Sequence, residues 1–300
     1  MPNLRAILRR IQSIRNTGQI TKAMQMVAAS KLKSAQSRVE HARPYALALR
    51  EVIGRLSSCA VDTPEDSEKP LHPFLEIPKE DAPKLFVVLA SDRGLCGAFN
   101  ANLLRFAHAQ VATERRQDQD VQVYAVGKKT LDYFQRRGVS IPKRYLGATG
   151  SPSYASAQSM VDEIVELFTS GQFSGVELVF TRFRSIASHV PSRVRLLPVW
   201  GVEKEAVAQE GAPKWEYMFE PDRDGVLGAL LPRYVTVVLF QALLESSASE
   251  HAARMMAMEN ANKNAKEMIE RLTLEFNKTR QATITKELTE IVGGKEALEG

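Results

Sequence analysis

Sixty consecutive residues, from Arg233 to Val292, contain neither glycine nor proline. At about 1.5 Å per residue, such a run makes a helix on the order of 90 Å long. Helices of globular proteins seldom pass about 25 residues, so the run predicts a coiled coil or another extended helix. A 3-4 ladder supports it: Leu244, Ala248, His251, Met255, Met258, Asn262, Ala265, Ile269, Leu272 and Phe276, apolar at eight of ten positions. Glu250–Arg254, Glu259–Lys263 and Glu267–Arg271 add i,i+4 pairs with the acid first, the more favourable order.

The N-terminus repeats the pattern. Positions 4, 7, 11, 14, 18, 21, 25, 28, 32, 35, 39, 42, 46, 49, 53 and 56 form a heptad ladder, broken only at Gly18, Thr21 and Gln25. There the apolar stripe is expected to change phase to Ile20, Met24 and Val27, as in a stutter. Pro44 is expected to kink the helix. Small residues on both ladders permit close approach, so the two ends are expected to fold back as an antiparallel pair.

Between them the pattern is α/β. "KLFVVLAS" (84–91) is a continuous apolar run of the kind covered on both faces, and 121–127, 175–183 and 193–200 read as further strands. Helical patterns fall at 99–114, 128–137 and 154–170. Strands alternating with helices predict βαβ units, a mainly parallel sheet and a Rossmann-like domain. The expected division is an N-terminal helix (1–60), a linker with five prolines (61–83), the α/β domain (84–200), a return segment (201–225) and a C-terminal helix (226–300).

Composition narrows the function. The most apolar stretch, "YVTVVLFQALL" (234–244), is too short to span a bilayer and ends at Glu245. Cys59 and Cys96 are the only cysteines, and the five histidines are scattered, so neither a disulfide framework nor a metal site is expected. Residues 1–39 carry eight basic residues and no acid, whereas the whole chain has a net charge of +5. Such a segment suits a transit peptide, a nucleic-acid arm or a face that meets an acidic partner. Its smooth continuation into residues 40–56 disfavours the first, and the scarcity of interleaved aromatics disfavours the second.

"ASDRGLCGAFN" (90–100) follows a strand and leads into a helix, where α/β proteins often hold phosphates. Its glycine spacing matches neither GxGxxG nor GxxxxGK[ST]. The favoured reading is a structural turn with a buried thiol. A nucleotide-binding enzyme with helical arms, using Cys96 as nucleophile, is one rival; a basic coiled-coil nucleic-acid binder is the other.

Four stretches resemble the gamma subunits of F-type ATP synthases: "RRIQSIRNTGQITKAMQMVAASKLKSAQ" (9–36), "SDRGLCGAFN" (91–100), "ESSASEHAARMMAMENANKNA" (245–265) and "LEFNKTRQATITKELTEIVGGKEAL" (274–298). The resemblance implies a non-catalytic rotor shaft without a cofactor, on the cytoplasmic face of a bacterial inner membrane. It implies partners too: three alpha and three beta subunits around one shaft, with an epsilon subunit and a membrane c-ring against the α/β domain. Carried over onto this chain, contacts with the catalytic ring fall on Lys22, Met24, Lys31, Arg254, Arg280, Gln281 and Thr285. The small and charged residues of 244–272 would then keep a sliding surface shallow. The cysteine insertion of chloroplast relatives is absent, so thiol control through Cys59 is not expected.

Overall fold

The computed structural model describes residues 4–58, 72–75, 82–199 and 223–299; Cys59, most of the proline-rich linker and nearly all of the return segment lie outside them. In chain order the elements are α1 (Leu4–Ser58), a one-turn 3-10 helix (Pro73–Leu75), β1 (Lys84–Leu89), α2 (Phe99–Arg115), β2 (Val121–Val126), α3 (Lys128–Gln135), β3 (Arg144–Tyr145), α4 (Tyr154–Thr169), β4 (Gly175–Phe183), β5 (His189–Leu197) and α5 (Arg223–Glu299). Residues 30–253 form one compact unit, and residues 1–29 with 254–300 form another.

The larger unit is built on a five-stranded sheet of order β3-β2-β1-β4-β5. β1 pairs in parallel with β2 and β4, and β2 with β3. Successive strand residues point to opposite faces, so β1 must be apolar throughout to be covered on both. Leu85, Val87 and Leu89 join Met160 and Ile164 of α4, Leu231, Val235 and Leu239 of α5, and Leu49 and Ile53 of α1. Phe86 and Val88 join Leu103 and Val111 of α2 and Phe134 of α3. Leu85 through Leu89 are fully buried.

The last strand departs from the sequence-based expectation. A strand was expected over 193–200; β5 starts at His189 and runs antiparallel to β4, with Phe183 opposite His189. The connection is a tight turn in which the backbone N–H of Arg184 donates to Ser188 O (3.2 Å). Pro191 and Ser192 interrupt the apolar pattern there, and β5 is an edge strand, where proline is tolerated. Its arginines reach toward buried carboxylates. Arg193 bridges Glu114 (2.6 Å) and Glu177 (3.2 Å), Lys84 reaches Glu114 (2.6 Å), and Arg195 reaches Glu177 (3.4 Å). Both carboxylates are buried. Burial opposes ionisation of Glu114, but hydrogen bonds from Lys84 and Arg193 outweigh it and hold the carboxyl below its ordinary range.

Helix α5 contains an eighteen-residue window of mean hydropathy 1.7, apolar enough by composition to cross a membrane, and 44% of that window is buried. The sheet supplies a reason for the apolarity: Leu227, Leu231, Val235, Leu239 and Leu243 are fully buried in the core beneath it. Further along, Glu245 to Ala252 are buried on every side of the helix. This corrects the expectation that the small residues there keep a sliding surface shallow. They let the helix approach β4: Thr181 N donates to Ser246 Oγ (3.4 Å), Phe183 N to a Glu245 carboxylate oxygen (3.3 Å), and Ser249 Oγ to Thr181 O (3.4 Å).

The smaller unit is a pair of helical segments. Ile7 and Ile11 pack with Leu272, flanked by Ile14, Ile269 and Phe276. Ala265 Cβ lies 3.7 Å from where a Cβ on Gly18 would sit, and Asn262 meets both Thr21 and Gln25. Numbers rise on α1 as they fall on α5, so the pair is antiparallel. Helix α1 runs on through Pro44.

Candidate functional site

Two places bear on function: the turn at 90–100, and the outward faces of the long helices.

The turn is closed on itself. Gly127, at φ 86°, has no room for a side chain: a Cβ there would fall 2.0 Å from Ala90 O. That contact seats the start of α3 against the end of β1, the position from which α/β folds present backbone N–H groups to phosphates. Here the protein supplies its own anion. Asp92 accepts from Lys128 N (3.0 Å), Gly147 N (3.1 Å) and Thr149 Oγ1 (3.4 Å). Ser91 Oγ donates to Arg93 O (2.6 Å), and Asn100 Nδ2 donates to Ser91 Oγ (2.7 Å) and to Cys96 Sγ (3.1 Å). Cys96 is only 2% exposed. A thiol so enclosed is not presented to a substrate, as the structural-turn reading requires.

A cavity of about 520 Å³ lies elsewhere, lined by α1, β4, β5 and α5 and by no residue of the 90–100 turn. Its carboxylate, Glu245, is engaged by Phe183 N and Gln241 Nε2 (3.1 Å).

The helices are different. On α1, every ladder position from Leu4 to Ile53 is buried or half-buried, including Gly18, Thr21 and Gln25. The expected phase change is therefore wrong: Ile20 is 62% exposed and Val27 58%, with Met24 half-buried between them. The reason is a polar layer. The Thr21 hydroxyl donates to the Asn262 carbonyl oxygen, and Asn262 Nδ2 donates to Gln25 Oε1 (3.2 Å), so the seam stays in register through polar residues. Sequence reasoning placed Ile20 and Val27 in the seam because it counted only apolar residues as seam-forming. The partner of Thr21 lies 241 positions away.

Of the predicted contact residues, Lys22 is exposed beside this apolar stripe and Met24 is half-buried. Lys31 is exposed, in the larger unit. Arg254 is half-buried, and Arg280, Gln281 and Thr285 are exposed. All ten ladder positions on α5, from Leu244 to Phe276, are buried or half-buried; beyond Phe276, only Thr279 and Thr283 among residues 277–295 are even half-buried. Ile284 and Leu288 are exposed one and two turns beyond Arg280. These apolar neighbours were missed in the sequence, although their i,i+4 spacing from Arg280 was there to be read.

Comparison with known proteins agrees with this organisation. A family model described as "ATP synthase" matches residues 3–298. The chain is 43% identical to the ATP synthase gamma chain of Pelotomaculum thermopropionicum over 299 residues, covering all of both chains. It is 44% identical to that of Desulforamulus reducens, again over the full length of both. Among solved structures, it resembles a chain of the Tetrahymena thermophila mitochondrial ATP synthase central stalk and c-ring, with a TM-score of 0.60 and 26% identity, covering 81% of this chain and 99% of that one. A chain of the Euglena gracilis mitochondrial enzyme shares the fold at a TM-score of 0.67 and 21% identity, covering 98% of this chain and 94% of that one. With antiparallel terminal helices, a central α/β sheet and full-length identity above two-fifths, the chain belongs to the ATP synthase gamma chain family.

Proposed function

We propose that this gamma chain is the rotating shaft of an F-type ATP synthase, coupling ion flow through a membrane c-ring to ATP synthesis or hydrolysis on surrounding beta subunits. The chain itself is a non-catalytic part of the complex. One observation carries the reading. In the two-helix unit the seam positions are covered while Ile20, Val27, Ile284 and Leu288 face outward. A coil fixed along one side and open along the other suits a shaft that must hold its own shape while passing different neighbours.

In this reading Lys22, Met24, Lys31, Arg254, Arg280, Gln281 and Thr285 meet the ring of three alpha and three beta subunits. The exposed cations attract an acidic partner over a distance, and complementary charge does not fix one geometry. The α/β domain meets an epsilon subunit and the c-ring, and α1 and α5 form the shaft. The complex is membrane-associated, and we assign it to the cytoplasmic face of a bacterial inner membrane, in keeping with the bacterial relatives. The test is native mass spectrometry of the complex recovered through a tag on this chain. One copy with three each of two large subunits is expected; recovery of this chain alone, or in equal number with its partners, overturns the reading.

A further inference from the structure

In the larger unit a second, smaller cavity of about 230 Å³ opens between α1, α5 and the loop that follows β3. Its donors come from all three. Lys31, Ser34 and Arg38 are on one face of α1, Ser247 and His251 are one turn apart on α5, and Ser151 is in the loop. Ser247 (3% exposed) and His251 (6%) are buried on the α5 side, whereas Lys31, Ser34 and Arg38 are exposed on the α1 side. Arg38 is drawn toward the loop, with Nη1 3.5 Å from Pro152 O. Among the described residues that line the cavity, none is acidic.

Two cationic side chains, Lys31 and Arg38, with an imidazole and three hydroxyls around one cavity and no carboxylate, make a receptor for negative charge. The arginine fork and the lysine ammonium are the side chains best matched to tetrahedral oxyanions, and serine hydroxyls donate to the remaining oxygens. Size selects among anions. Water takes about 30 Å³ of liquid volume, so the cavity accommodates a phosphate-sized ion with a few waters. We propose that this cavity is a binding site for inorganic phosphate or an oxyanion of the same size. The site is separate from the turn at 90–100, where Asp92 already supplies the negative charge.

The test uses the full chain, with inorganic phosphate titrated at constant ionic strength by calorimetry and by 31P line broadening. Saturable binding is expected, weakened about tenfold by Arg38→Ala, the loss of one charge-assisted contact. Arg38→Lys should fall between, because it keeps the charge and loses the fork. Ser247→Ala, checked for an unchanged circular dichroism spectrum, should also weaken binding. ADP should bind no more tightly than phosphate. No saturable binding by the unaltered chain, or equal affinity in the Arg38→Ala chain, overturns the proposal, as does ADP binding well above phosphate.

Discussion

The two units of this chain solve the same problem by opposite means. In the larger unit, Leu85 through Leu89 are buried on both faces of a sheet, and apolar side chains from five helices close over them. In the smaller unit, Ile7, Ile11 and Leu272 form a narrow seam, and three polar residues, Thr21, Gln25 and Asn262, interrupt it. Burial stabilises by about 25 cal/mol per Å² of apolar surface, so the sheet unit holds far more of that stabilisation per residue. The coil forgoes it and keeps an outer face free. The difference separates positions where substitution breaks the fold from positions where it alters work done on partners.

The sharpest break is expected at Gly127. Alanine there meets Ala90 O at 2.0 Å in a backbone conformation that disfavours side chains, so Gly127→Ala should cost more than about 3 kcal/mol or prevent folding. Urea unfolding of the full chain measures it; a loss below about 1 kcal/mol would show that the start of α3 moves freely away from β1.

Arg280→Ala should do the reverse, leaving fold and assembly intact while reducing turnover of the complex about tenfold or more, as loss of a charge-assisted hydrogen bond implies. Arg280→Lys should recover only part. Multisite ATP hydrolysis measured with complex recovery decides it, and normal turnover in a fully assembled Arg280→Ala complex would sink the idea.

Glu114→Gln tests the ion network of the sheet unit. The folded carboxyl titrates below 4.5, so its contribution is present above that pH and is lost as pH falls through the folded value. Stability of the unaltered chain should therefore fall as pH drops below about 4.5, and Glu114→Gln, less stable at pH 7 by roughly 1.5–3 kcal/mol, should show a flatter curve there. Parallel curves would exclude Glu114 from the acid limb.

A smaller effect belongs to the polar layer. Thr21→Val with Asn262→Leu should raise the unfolding midpoint by a few degrees, since apolar seam pairs often outdo buried polar ones, while loosening the register. Disulfide trapping between cysteines placed at positions 11 and 272 would report that loosening as new cross-links to neighbouring turns; an unchanged cross-link pattern would assign the polar layer no role in register. Smallest of all, replacing Lys33, one exposed cation of the acid-free segment 1–39, by alanine should leave ATP synthesis nearly intact, because a single exposed pair is worth about 0–1 kcal/mol. A complete loss would contradict a diffusely shared charge.

Much of this protein was determined by its sequence alone. The absence of glycine and proline over 233–292 and the ladder on residues 4–53 dictated long helices, because helical periodicity is a local property that backbone hydrogen bonds enforce residue by residue. The apolar run at 84–91 likewise dictated a strand covered on both faces. Tertiary structure decided what local pattern does not encode. Thr21 belongs to the seam because Asn262 faces it, and Ile20 lies outside because the seam had no need of it. Glu245 to Ala252 are buried because β4 passes close by, although their composition reads as a surface. Asp92 fills an anion site assembled from residues 128, 147 and 149, and β5 turns its arginines toward carboxylates on α2 and β4. Each is a pairing between distant positions, and a polar side chain shows its role only when its partner is in place.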